Sequence, residues 1–416
     1  MRMMVIGSGA REHAIVLNAT ASPFIEKGGL ICVPGNAGIA QQARCYPVST
    51  RKLDCLTFIA HQEKVDLTVV GPEQPLFDGI VDRFNAEGLT ILGPTQKAAM
   101  MSEGSKAAFK MLCTKYHLPT ATPYGIFSNV LEVKRYVQQQ GVPIVIKADG
   151  PSRGKGVTVA FDLVSAFQAI ENIMSTQAGR LVVIEKCLLP GKECSFMVVS
   201  DGKHILPLPP VRDYKTFYPG GPMTGGVACV SPVPEMTEKL QGRVIDRCVQ
   251  PLLHALRKEG CPYKGVLYLG LMLRGSDFFM LEANCRLGDP ESALLSFLVN
   301  NDLIPLFYAA ATDSLNGFRL DYTYKPAVCT VLAAPGYPRL GSFGSRILGL
   351  EKAANIEGVK IFHAGTARRE DGTYVTNGGR IVTIGANGKK AKQQIDQAIA
   401  CISIEGGMRY RNDIGA

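Results

Sequence analysis

Residues 278–291 read FFMLEANCRLGDPE. The first four, Phe278, Phe279, Met280 and Leu281, form an apolar run of the length that a buried strand needs. The pattern then stops. Glu282 and Asn284 are two apart, so on extended backbone both side chains point to one face. A carboxylate and an amide oxygen so placed suit a hard cation such as magnesium. Arg286, Asp289 and Glu291 follow at once. A strand end carrying solvated charges would read the same way, so the flanking segments have to separate the two.

Outward from this stretch, GVLYLGLMLRG (265–275) is a second buried strand one turn earlier. The segment 289–312 reads as an amphipathic helix, with Glu291 complementing the dipole at its start. Upstream, VPIVIKADGPSRGKGVTVAF (142–161) is an apolar strand, a glycine-rich loop and another apolar strand. The loop is not a Walker A motif. Its spacing from Gly150 to Gly154-Lys155 is one residue short, Gly156 stands where a hydroxyl is required, and a strand follows in place of a helix. A glycine loop between antiparallel strands is a flap, whose backbone amides can cover phosphates. Lys147, near the end of the entering strand, is placed to meet a phosphate, and Lys155 flanks the same loop. RLVVIEKCLLPGKECSF (180–196) is a strand, a bend at Pro190-Gly191 and a new strand. Extended backbone at 186–188 offers the donor and acceptor that an adenine edge needs, and Glu193 could take ribose hydroxyls. A helix is expected within 98–118, carrying Lys106 near its start.

The first hundred residues alternate strand and helix, which reads as a parallel α/β sheet. The turn at Gly7–Gly9 departs from the dinucleotide fingerprint. Glu12 occupies the third glycine position, and the second strand ends in Pro34-Gly35-Asn36 with no acid for a ribose. NAD is therefore disfavoured. The helix start at Gly9, Ala10 and Arg11 still favours a phosphate. Asn36, Gly71, Pro72 and Glu73 end neighbouring strands and should face the same crevice. His13 reads as a packing or capping residue.

The chain has 416 residues, 46 % of them apolar and 19 % charged, with a net charge of +9. That length implies several domains and that composition a globular protein. Basic residues are spread out, so no nucleic-acid stripe is indicated. No apolar run reaches the roughly 18 residues of a membrane span. Twelve scattered cysteines without a C-x-x-C pair argue against zinc and disulfides, and for a cytoplasmic location.

These pieces, in this order, resemble the ATP-grasp superfamily. Together with GSGAREHA, PGNAG (34–38), DLTVVGPEQPL (66–76), EGSKAAFK (103–110), FHAGT (362–366), VTNGGR (375–380) and DIG (413–415), they resemble the phosphoribosylamine–glycine ligase family over essentially the whole chain. The resemblance implies an α/β and α+β multidomain protein. Its parts would be an N-terminal parallel α/β domain (1–96), a central ATP-grasp domain (97–320) with a flap subdomain near 118–185, and a small α+β domain (321–416). It implies ligation of glycine to 5-phosphoribosylamine through glycyl phosphate, using ATP and magnesium or manganese, by a monomer or weak homo-oligomer. Glu282 and Asn284 would hold the metal. Lys106, Lys147, Gly150, Gly154, Lys155, Gly156, Glu185, Lys186, Leu188 and Glu193 would hold ATP. Gly9, Ala10, Arg11, Glu12, Asn36, Gly71, Pro72 and Glu73 would hold the phosphoribosyl end. Asp213 is expected at the glycine ammonium with Lys215 beside it, Arg286 at the carboxylate, and Gly225 and Gly226 at the substrate.

One segment departs from the family. RDYKTFYPGGPMTGGVACVSP (212–232) keeps Asp213, Lys215, Thr224, Gly225 and Gly226, but has Met223, Val227 and Ala228 where the family has Asn, Met and Gly. A carboxylate–amine ligase with another substrate is the alternative that this loop leaves open.

Overall fold

The computed structural model describes residues 1–150, 156–176 and 181–415. The flap positions Gly154 and Lys155 lie outside the described residues.

Five parallel strands open the chain: β1 (Met3–Gly7), β2 (Leu30–Pro34), β3 (Arg44–Cys45), β4 (Leu67–Val70) and β5 (Ile91–Leu92), in the order β3-β2-β1-β4-β5. Every residue of β1 is buried, as expected for a strand covered on both faces. Gly7 pairs with Pro34, and Ile6 with Val70. The turns at Gly9, Asn36 and Gly71 therefore leave the sheet along one edge, the position where open α/β sheets bind ligands.

An antiparallel sheet follows, from β6 (Tyr124–Phe127), β7 (Ile144–Ala148), β8 (Val157–Ala160) and β9 (Val182–Lys186), ordered β6-β9-β7-β8. β7 and β8 are the antiparallel strands expected on either side of the glycine loop. A third sheet holds β10 (Lys192–Ser200), β11 (Ile205–Pro207), β14 (Gly265–Arg274) and β15 (Asp277–Asn284). One apolar core joins it to the first sheet, with Ile6 and Val33 in the same cluster as Phe196, Leu269 and Phe278. Fully burying a side chain such as Phe278 is worth about 1.5–3 kcal/mol, so the mutual position of these sheets is fixed by packing.

The remaining strands form two sheets. β12 (Arg212–Tyr214) and β13 (Ala228–Ser231) extend a sheet whose other members are β16 (Ala327–Ala333), β18 (Val359–His363) and β21 (Arg380–Asn387). β17 (Ser342–Leu348), β19 (Thr366–Arg368), β20 (Tyr374–Gly378) and β22 (Ser403–Ile404) make the last. The Asp213 segment, central in the sequence, thus grows out of the same sheet as the final hundred residues.

The helix expected within 98–118 is present and starts at Lys106, whereas the one expected over 289–312 is broken. Around 98–118 the chain makes a helix at Gln96–Ala99 and a wide turn closed by Ser105 N–H to the Met100 carbonyl, then a helix at Lys106–Lys115. Ser105 stops the first run because its backbone is extended and its hydroxyl caps the second, accepting from Ala108 N–H at 3.0 Å. The segment 289–312 is likewise two helices, Glu291–Leu298 and Leu303–Ala311, with Asp302 capping the second. Periodicity alone misses the break in 289–312 because the apolar spacing continues through it.

Candidate functional site

The antiparallel sheet brings its cations together around one carboxylate. Glu185 lies in β9 between β6 and β7 and is buried. Its two oxygens meet Lys110 Nζ at 3.1 Å and Lys147 Nζ at 2.8 Å. Burial pushes the Glu185 carboxyl up, but the two ammonium groups outweigh it and the net direction is down. Lys147 also donates to the Leu281 carbonyl at 3.0 Å, which ties the flap sheet to β15. Lys106 donates to the Gly150 carbonyl at 3.0 Å, and burial lowers its pKa. Gly150 has a positive φ of 87°, so the chain enters the flap through a conformation that favours glycine. Gly156 is buried beyond it, and its carbonyl accepts from Ala148 N–H at 2.7 Å.

The sequence reading expected Glu185 at the nucleotide. Its side chain instead holds Lys147 and Lys110, and its backbone lies inside a ladder with strands on both sides. The next residues, Lys186 (exposed) and Leu188 (buried), leave the strand and bend toward β10. Glu193 lies early in β10 opposite Met272 of β14. Burial raises the Glu193 pKa, offset in part by Lys215 and Lys147.

β15 carries the pair that opened the reading. Glu282 faces Gly270 of β14 across a bulge, and Asn284 faces Tyr268. A Cβ on Gly270 would come within 2.9 Å of Glu282 Cγ, so glycine is what lets the carboxylate lie over its neighbour strand. Asn284 Nδ2 is 3.4 Å from Glu282 Oε1, so the two side chains share a face. Lys215 Nζ stands 3.8 Å from Glu282. Burial raises the Glu282 pKa, but Lys215, Lys147 and Lys106 together turn the net shift downward.

Among the described residues no cluster of three or more His, Cys, Asp or Glu side chains could hold a metal. Two hard oxygens on one face fit magnesium brought in with a nucleotide, because that ion keeps its waters and takes its other ligands from phosphates. Turning the Asn284 amide over would aim its oxygen where its nitrogen now points. These two residues therefore suit a shared ion and not a protein-enclosed one.

Asp213 is buried in the middle of β12 and pairs with Lys215 at 3.0 Å. Burial lifts its carboxyl to about 7, against the opposing pull of Lys215. One of its oxygens, Oδ1, has no hydrogen-bond partner among the described residues. A buried unpartnered carboxylate oxygen is costly and suits a ligand donor such as an ammonium group. Gly226, with φ at +106°, sits against it: a Cβ there would lie 3.0 Å from Asp213 Oδ1.

At the edge of the first sheet several expected ligands are already engaged. The Glu12 carboxylate accepts from Gly9 N–H and from Arg11 Nε at 2.6 Å, closing the first turn of the helix Ala10–Thr20. No Cβ fits on Gly71, because Glu12 fills that space. Asn36 donates to the Ser8 and His363 carbonyls and accepts from Gly38 and Ile39 N–H. Glu12 and Asn36 are thus turn-closing residues here. Ala10 and Arg11 remain at the helix start, where N–H groups lack intrahelical partners, with Pro72 and Glu73 beside them. His13 and His363 pack edge to face, with ring centroids 5.5 Å apart, and burial lowers their pKa values to about 3 and about 4.

Arg286 departs most from its expected role. Its Nε meets Glu73 at 3.3 Å, Nη2 meets Glu103 at 2.8 Å, and Nη1 meets the Leu287 carbonyl at 3.2 Å. Each of its three nitrogens makes a bond, so in this arrangement it bridges two carboxylates. Burial raises the Glu103 pKa, whereas Arg286 and Arg11 draw Glu73 down to about 2 despite its burial.

The chain matches one family along its length. Residues 1–102, 104–292 and 327–416 match, in turn, the phosphoribosylglycinamide synthetase N domain, ATP-grasp (A) domain and C domain. The phosphoribosylamine–glycine ligase of Brucella melitensis is 40 % identical over 423 residues, covering 100 % of this chain and 97 % of the relative.

The chain belongs to the phosphoribosylamine–glycine ligase family.

The crystal structure of a family member from Thermotoga maritima superposes with a TM-score of 0.83 at 31 % identity, covering 99 % of this chain and 100 % of that one. The Arabidopsis thaliana relative, 39 % identical over 97 % of this chain and 78 % of its own length, is named as chloroplastic. The three-domain architecture around an ATP-grasp centre is therefore as the sequence led one to expect.

Several site residues carried no local signal in the sequence. Lys110 is one turn along the helix from Lys106, and only its burial against Glu185 gives it meaning. Asp149 accepts from Ala107 N–H and Ser105, anchoring the helix of Lys106 to the end of β7. Glu291 does more than start a helix, because it accepts from Ser195 at 2.9 Å, and Ser195 in turn bonds Tyr268 at 2.8 Å.

Proposed function

We propose that this chain ligates glycine to 5-phosphoribosylamine at the expense of ATP, giving glycinamide ribonucleotide, ADP and phosphate in purine synthesis. The observation that carries the reading is the convergence on Glu282. A metal-capable carboxylate lies among Lys215, Lys147 and Lys106 while Asp213, with its unpartnered oxygen, stands behind Lys215. That is an arrangement for a polyphosphate beside an ammonium-bearing substrate.

A carboxylate is a poor acylating group until one oxygen becomes part of a leaving group. In this reading a glycine carboxylate oxygen attacks the γ-phosphorus and ADP departs. The phosphoribosylamine nitrogen then attacks the acyl carbon, phosphate leaves, and the nitrogen loses a proton. The protein supplies position and charge. Asp213 holds the glycine ammonium. Lys215, Lys147 and Lys106 offset phosphate charge, and Lys147 is aimed by Glu185. Residues 186–188 and Glu193 take the adenosine. The helix start at Gly9–Arg11, with Gly71–Glu73, takes the phosphoribosyl end, and Gly225 and Gly226 lie at the substrate. Glu282 and Asn284 would hold magnesium or manganese, which would supply positive charge to offset that of the polyphosphate.

Unpaired, mostly buried cysteines fit a reducing compartment such as the cytoplasm. Among the described residues no helix is long and apolar enough to cross a membrane. The test is ADP release in the presence of ATP, magnesium, 5-phosphoribosylamine and glycine. Glycine-dependent turnover supports the reading. Absence of it, or turnover only with another amino acid, overturns it.

A further inference from the structure

The last hundred residues reach the Asp213 loop through two side chains. Tyr337 Oη accepts from Gly225 N–H at 3.2 Å, and Arg380 Nη1 donates to the Gly225 carbonyl at 3.1 Å. Both polar groups of one residue's backbone are thus held from outside its own loop. Arg380 goes further. The same Nη1 donates to the Asp289 carbonyl at 2.8 Å, and Nη2 to Asp289 Oδ2 at 2.9 Å. Asp289 in turn lines the first-sheet edge, since a Cβ on Gly9 would lie 3.5 Å from its Oδ2. Gly226, the next residue, leaves no room for a side chain between Asp213 and the Asp289–Pro290 backbone.

We propose that Arg380 and Tyr337 are positioning residues of the ligase site, fixing the Gly225–Gly226 backbone against Asp213 so that the amino-acid and phosphoribosyl ends meet in register. The inference rests on the function proposed above. Its physical basis is the loop's own weakness. Between Lys215 and Thr224 the chain makes an excursion whose tip, Tyr218–Gly220, is exposed while Phe217 is buried at its base. Its neck is closed by Thr224 N–H to the Lys215 carbonyl and Val227 N–H to the Tyr214 carbonyl. Gly225 and Gly226 have no side chains to pack, so their conformation is set by whatever bonds their backbone. In this chain Val227 and Phe217 pack against the Tyr337 ring, and the Arg409 guanidinium lies 4.0 Å over Phe217. Arg409 also donates to the Tyr337 carbonyl at 3.1 Å. Val227, one of the departures from the family pattern, is thus a contact of the clamp itself.

Steady-state kinetics of the full chain test this, with ADP release followed while glycine and ATP are varied in turn. Tyr337→Phe keeps the ring and removes only the acceptor of Gly225 N–H. It should raise the glycine KM about tenfold, the effect of one unpaired polar group. The ATP KM should shift less than the glycine KM, because Lys106 and Lys147 lie outside this loop and only Lys215 borders it. Arg380→Met should cost about a hundredfold in kcat/KM for glycine, since a bidentate charged contact is lost. Arg380→Lys should restore only part of it, because an ammonium group cannot span Gly225 and Asp289 as the fork does. Amide hydrogen exchange at Gly225–Val227 should speed up in both Tyr337→Phe and Arg380→Met, with exchange in β7 and β9 unchanged. Equal shifts in the glycine and ATP KM values, or no shift with unchanged exchange, would overturn the proposal. If Arg380→Met fails to fold, Tyr337→Phe decides. If the wild-type protein shows no glycine-dependent turnover, the functional reading fails, and the exchange at Gly225–Val227 still decides whether the clamp exists.

Discussion

Replacing Glu185 by Gln should loosen the flap sheet more than any surface substitution in the chain. Glu185 is 4 % exposed, Lys110 2 % and Lys147 7 %, so water screens none of the three. Gln keeps the volume and removes only the charge, which excludes a cavity term. Lys110 would retain Thr120 Oγ1 at 2.5 Å and the Ala121 carbonyl at 3.0 Å, both neutral acceptors. Lys147 would retain the Leu281 carbonyl. Taking one partner from a buried ion pair costs about 3–5 kcal/mol, because a charge is left buried without its counter-ion.

The sign of the pH dependence follows. Burial already lowers the Lys110 pKa against the pull of Glu185. Without that pull it falls further below its unfolded value. The unfolded chain then binds more protons than the folded one, so the deficit shrinks as pH rises through the alkaline range. A three-domain chain need not unfold in one step, so the readout is amide exchange in β7 and β9 and not a global midpoint. Protection there should fall about a hundredfold or more at neutral pH, the equivalent of that loss. It should fall less at pH 10. Adding Lys110→Met to Glu185→Gln should recover part of it, since one of the two stranded charges is gone. A change below tenfold, or one independent of pH, would refute the view that Glu185 is the counter-ion holding these lysines.

Glu282→Ala should abolish glycine-dependent ADP release while leaving the far-ultraviolet circular dichroism and β10–β14 amide exchange as they are; near-normal turnover would remove Glu282 from the metal. With the Asp213 carboxyl lifted to about 7, kcat/KM for glycine should fall as pH drops through neutrality, because only the ionised form attracts an ammonium group. A flat profile between pH 6 and pH 8, measured at saturating ATP, would count against that role. Gly71→Ala puts a methyl into the Glu12 carboxylate and should destabilise by about 1–3 kcal/mol, read as a lowered melting temperature. Glu73, drawn down to about 2 by Arg286 and Arg11, contributes stability that is present above its unfolded pKa near 4.5 and lost as pH falls toward 2. Glu73→Gln should therefore flatten the acid limb of the stability curve, and an unchanged acid limb would show that the Glu73–Arg286 pair adds nothing.

What the sequence determined by itself was set by local rules. The run Phe278–Leu281 with Glu282 and Asn284 two apart determined a strand and a shared face, because alternation in a strand admits no other arrangement. The missing glycine at position 12 disfavoured a dinucleotide site, and the strand after Gly156 argued against a Walker loop. The order of such pieces was enough to reach the family. The tertiary structure decided which charged groups are spent on one another. Arg286 reads as a free guanidinium until Glu73 and Glu103, roughly two hundred residues away in the chain, arrive on either side. Glu185 reads as a hinge residue until Lys110 and Lys147 close on it. Asn36 and Glu12 read as ligands until the turns they close are seen. The pairing of Arg380 with Asp289, ninety-one positions apart, has no signal in the sequence. Ion pairing depends on distance in space and on exclusion of water, and neither is encoded in spacing along the chain. Residues 278–291 thus carried the fold in their pattern, while the partners of Glu282, Arg286 and Asp289 came from strands and helices that only packing brings together.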